Sequence, residues 1–146
     1  MSGKDVMIQD FGGKPMKSYS ARRLKRSPLR DIAEMIISFH YVAYEGFFAS
    51  HQINKSELRS LLPFADLWAH YIGGFFLKAY FEKVHGTAII PKDQGDLEIV
   101  LNTFLIEKSL THFIDNMETK PDFVVVSLHI IRSVLGLLEK PSLTGV

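Results

Sequence analysis

From Ser27 onward, apolar residues return every three or four positions through four successive stretches, and that period calls for helices. In the first stretch, Leu29, Ile32, Ala33, Ile36, Phe39, Ala43 and Phe47 make one continuous apolar face. Ser27 is suited to cap it, because its hydroxyl can accept from the exposed first-turn amides, and Pro28 fits the first turn, where no backbone donor is needed. Asp31 lies in that turn, where the helix dipole favours its charge.

In the second stretch, Asn54 and Glu57 have the spacing of a capping box. Pro63 lacks an amide donor, which predicts either a kink or two helices, 55 to 61 and 63 to 85. Phe64, Leu67, Trp68, Tyr71, Ile72, Phe75, Phe76, Ala79 and Tyr80 give it a broad apolar face, and Gly73-Gly74 predicts close packing of a neighbour. Gly86 is suited to end it.

Asp93 offers a cap for the third stretch, from about 96 to 118, whose face is Leu97, Val100, Leu101, Phe104, Leu105, Ser109 and His112. Lys120-Pro121 opens the fourth, with a predicted face of Val124, Leu128, Ile131, Leu135 and Leu138. Val124-Val125-Val126 favours a strand locally, but the helical spacing that follows outweighs it. Residues 4 to 11 alternate as a short strand would. The expected architecture is therefore all-α, preceded by a short strand or hairpin. It divides into a strand and basic connecting segment (1 to 26), a helical lobe (27 to 140) and a tail (141 to 146).

A chain of 146 residues, 47% hydrophobic, suffices for one domain or one lobe of a larger one. Folding at this length buries about 68 to 70% of the unfolded surface. The formal charge of +1 exerts no overall pull on nucleic acid or acidic membranes, so electrostatic function would need local clustering. Only Arg22, Arg23, Lys25, Arg26 and Arg30 cluster. No aromatic residue interleaves with them, so a platform for single strands is unsupported and nucleic acid is not an expected partner. The absence of cysteine excludes disulfides and thiolate chemistry and fits a cytoplasmic location. No run of about 18 apolar residues occurs, so no membrane partner is expected.

Asp10, before Gly12-Gly13, could reach a magnesium ion that bridges nucleotide phosphates, although an Asp beside a glycine pair is also an ordinary turn residue. The six histidines, at 40, 51, 70, 85, 112 and 129, show no metal-ligand spacing and read as packing or surface residues.

Asp10-Phe11-Gly12-Gly13-Lys14-Pro15, then Arg22-Arg23-Leu24-Lys25-Arg26-Ser27-Pro28-Leu29-Arg30-Asp31-Ile32-Ala33 and Ser38-Phe39, resemble the maltokinases, including those fused to trehalose synthase. Phe104-Leu105-Ile106-Glu107-Lys108-Ser109-Leu110, with Lys120-Pro121-Asp122-Phe123 and Ser127-Leu128, resembles the closing segment of that family, and Trp68 and Phe75 to Tyr80 fit between them. The resemblance spans nearly the whole chain but only the last third of a whole maltokinase. It implies the helical C-lobe of a kinase-like fold, similar to aminoglycoside phosphotransferases, and the ATP-dependent phosphorylation of maltose to maltose 1-phosphate.

By the same resemblance Asp10 would be a magnesium ligand and Asp31 would brace the catalytic loop, while Glu107, Thr111, His112 and Asp115 fall where the sugar pocket is lined. The family's tyrosines and glutamates are missing there, and Gly12 and Lys14 stand where it has glutamates. A phosphotransferase of this class also needs a glycine loop, a phosphate-binding lysine and a catalytic loop with its Asp and Asn, and the sequence contains none of them. The expectation is a partial maltokinase-like protein that is inactive alone, with ATP and Mg²⁺ not bound by this chain by itself and no catalytic residue of its own. Its expected partners are an N-terminal kinase lobe, trehalose synthase or a second copy. The rival expectation is a non-enzymatic helical assembly module derived from that lobe.

Overall fold

The computed structural model describes residues 23–48 and 55–136, together with Ser18 and Ser20. The predicted strand at 4 to 11, Asp10 and the tail lie outside the described residues. Those described form four α-helices and no strand: α1 (Leu29–Phe48), α2 (Lys55–Val84), α3 (Gln94–Thr119) and α4 (Val124–Val134), the last entered through a 3-10 turn at Pro121–Phe123.

Two of the three predicted caps form, and Asn54 of the third lies outside the described residues. Ser27 Oγ accepts from the Leu29 amide at 3.3 Å, and the Asp31 and Ile32 amides donate to the Pro28 carbonyl. Asp93 accepts from the Asp96 amide at 2.9 Å, starting α3 at Gln94. Gly86, at φ +78°, follows α2 in the left-handed conformation that glycine adopts without strain.

α1 is the central element. It packs against α2 on one side and α3 on another, and α4 closes against α3. The core is built from Ala33, Ile37 and Tyr44 of α1, Ala65 of α2, Leu105 of α3, and Val126 and Ile130 of α4. Phe39 meets Phe76 edge to face at 5.7 Å while Tyr44 meets Asp66, so α1 and α2 run antiparallel.

Of the two outcomes expected at Pro63, separate helices are not seen: α2 continues through it as one 30-residue helix, because packing against α1 outweighs the one hydrogen bond that proline forfeits. Two expectations about α2 need correction. Its packed face is Ala65, Ala69 and Gly73, whereas Phe64, Leu67, Trp68, Tyr71 and Phe75 point outward. Among the described residues, a Cβ added to Gly73 or Gly74 would meet nothing within 4 Å, so close approach of a described neighbour does not account for the glycine pair.

In α4 the buried residues are Val126, Ser127 and Ile130, while Leu128 and Leu135 are exposed. Apolar residues of that helix fall on several of its sides, and the buried side includes Ser127, which periodicity alone could not select. No helix among the described residues is long and apolar enough to cross a membrane.

Candidate functional site

Polar side chains gather along two edges of α1. Toward α3, Arg30 pairs with Glu107, 77 residues away in sequence. One turn later, Glu34 takes two partners from α3: its Oε1 accepts from His112 Nε2 and its Oε2 lies against Lys108 Nζ, both at 2.7 Å. The hydrogen bond from His112, with the ammonium of Lys108 paired to the other oxygen, outweighs the opposing effect of burial and holds the Glu34 carboxyl down at about 2. Glu34 is thus ionised and engaged at both oxygens, the arrangement of a clamp between helices.

Tyr41 continues this edge. Its hydroxyl accepts from Asn116 Nδ2 at 2.5 Å and shares a 2.9 Å hydrogen bond with Ser127 Oγ, joining α1, α3 and α4 at one atom. Its ring stacks on Phe123 at 5.6 Å with an interplanar angle of 10°. Burial raises the Tyr41 phenol above its usual range, which keeps it neutral.

The second edge faces α2 and α4. Tyr44 donates to Asp66 Oδ1 at 2.7 Å, and Asp66 Oδ2 lies 2.9 Å from His129 Nε2, within ion-pair distance. His40 lies beside them with its Nδ1 buried and 3.9 Å from Asp66 Oδ1, beyond hydrogen-bond reach. Burial depresses His40 to about 4, offset in part by Asp66 and reinforced by the charges of His129 and His70. At neutral pH its ring is uncharged.

The residues expected to line a pocket separate into two groups. Glu107 and His112 face α1 and are tied to Arg30 and Glu34. Thr111 and Asp115 are exposed, and the Thr111 hydroxyl donates to the Glu107 carbonyl. Asp31 is exposed on the first turn of α1. Of the basic cluster, Arg23, Lys25 and Arg26 are exposed and Arg30 is drawn into its ion pair. Among the described residues, no group of three or more His, Asp or Glu side chains is placed to hold a metal ion.

The Asp66 centre and the Tyr41 junction are absent from the expectations drawn from sequence. One signal was available: Asp66 is the only Asp, Glu, Lys or Arg between Leu61 and Leu77, and a lone charge in an apolar helix calls for a buried partner. No known protein-family model matches the chain, and no solved structure matches it.

Proposed function

We propose that the chain is the helical lobe of a maltokinase-like phosphotransferase, a scaffold for the sugar side of the reaction that transfers no phosphate by itself. One observation carries this. The segments in which the resemblance resides lie far apart in sequence yet pack on one another: Arg30 on Glu107, Glu34 on Lys108, and Tyr41, just beyond Ser38-Phe39, on Phe123 and Ser127. Residues that match a family at distant positions and also hold each other in place behave as one structural unit. ATP and Mg²⁺ belong, on this proposal, to a complementary N-terminal lobe that supplies the glycine loop, the lysine and the catalytic loop. Asp10 would join that site from this chain.

The test is titration of the purified chain with the separately produced N-terminal part of a maltokinase, followed by calorimetry. A saturable one-to-one complex is expected. No heat and no complex at tens of micromolar would remove the basis for the proposal.

A further inference from the structure

The outer face of α2 carries an exposed apolar strip whose spacing is symmetric. Phe64, Trp68, Tyr71 and Phe75 are 65%, 45%, 53% and 70% exposed. The steps between them are four, three and four residues, a spacing that reads the same in both directions about a midpoint between Ala69 and His70. At the rise of an α-helix the strip is about 16 Å long. No Asp, Glu, Lys or Arg is exposed from Ser60 to Phe75, and Glu57, Lys78 and Glu82 lie beyond its two ends.

We propose that this strip is a homodimer interface, in which two copies of the chain pair through antiparallel α2 helices. A two-fold axis across the midpoint brings Phe64 of each copy against Phe75 of the other and Trp68 against Tyr71. That is the self-complementarity an isologous interface requires, with residue i meeting j and j meeting i. Composition agrees, since interface centres are rich in aromatic residues and poor in charge.

Area agrees as well. Large aromatic side chains present about 150 to 250 Å² each. At the exposures observed, the strip with Leu67 offers on the order of 500 to 600 Å² per copy, near the upper end for an apolar patch on a monomer. Two copies with their polar rims reach about 1,200 Å², where specific interfaces begin. Gly74, exposed beside Phe75 with open space where a Cβ would stand, leaves room for the second helix.

The contacts that carry the proposed function lie between α1, α3, the 3-10 turn and α4, so this interface stands or falls separately from it. Sedimentation of the full chain over a range of concentrations is the test. The wild type is expected at twice the 16.6 kDa chain mass. Phe64→Glu and Phe75→Glu are each expected to shift it to the single-chain mass with the helical circular dichroism retained, both side chains being exposed. Because position 64 meets position 75 twice across the axis, the double variant Phe64→Glu/Phe75→Lys is expected to restore the dimer. A wild-type monomer at tens of micromolar overturns the proposal and leaves the strip to a different protein. Dimers that persist in both single variants, or a folded double variant that remains monomeric, overturn it equally.

Discussion

Glu34 Oε1 and His112 Nε2 lie 2.7 Å apart across 78 residues of sequence, and Lys108 completes the clamp on the other oxygen. The carboxyl is held at about 2 in the folded chain against an ordinary 4.5. A depressed acid contributes stability above its unfolded value and loses it as pH falls through its folded one. The clamp is therefore expected to weaken from about pH 4.5 downward and to be lost near pH 2. Glu34→Gln should cost about 1 kcal/mol at neutral pH, a figure reduced for the partial exposure of the pair, and nothing at the acid end. Urea melts of both proteins from pH 7 to pH 2 measure the convergence.

His40 adds an earlier acid transition. Its folded value of about 4 lies below the ordinary 6.5, so the unfolded chain takes up a proton first as pH falls. Stability is complete above about pH 6.5 and declines as pH falls to 4, by about 3 kcal/mol at the limit of the full shift. His40→Gln should flatten the stability curve between those two pH values and leave the Glu34 limb in place. The slope of unfolding free energy against pH reads this directly.

Tyr41→Phe tests the three-helix junction. Removing the hydroxyl deprives Asn116 Nδ2 and Ser127 Oγ, both on buried residues, of a partner while the stack on Phe123 stays. The expected loss is about 1 to 3 kcal/mol, from leaving buried polar groups unsatisfied. Chemical denaturation of the variant gives the value.

Ser109 offers the opposite sign. It is fully buried in α3 and its hydroxyl makes no hydrogen bond among the described residues. Ser109→Ala removes that unpaired group and introduces a better helix former, so a gain of about 1 kcal/mol is expected. Gly73→Ala in α2 should gain a similar amount, since a Cβ there meets no described neighbour within 4 Å.

The helices and their caps were legible because they depend on local chemistry: the Ser27 and Asp93 hydroxyl and carboxyl reach amides two or three residues on. The inner faces of α2 and α4 were not. Both helices are apolar around much of their circumference, and the choice fell to shape: Ala65 and Ala69 let α2 lie close to α1, where Phe64 and Trp68 would hold it away. The clamps escaped notice for a different reason. Arg30 with Glu107 and Asp66 with His129 are brought together by tertiary packing, which no periodicity encodes. Of the expected pocket residues, Glu107 and His112 turn toward α1, whereas Thr111 and Asp115 do not, because a helix separates neighbours in sequence onto different sides.

The central claim is that this lobe takes part in phosphate transfer to maltose without performing it alone. The direct measurement is maltose 1-phosphate formed from ATP, Mg²⁺ and maltose by the purified chain, by the N-terminal part of a maltokinase, and by the two mixed. Product from the mixture and from neither component is the predicted result. Product from the chain alone, or none from a mixture shown to form the complex, would contradict it.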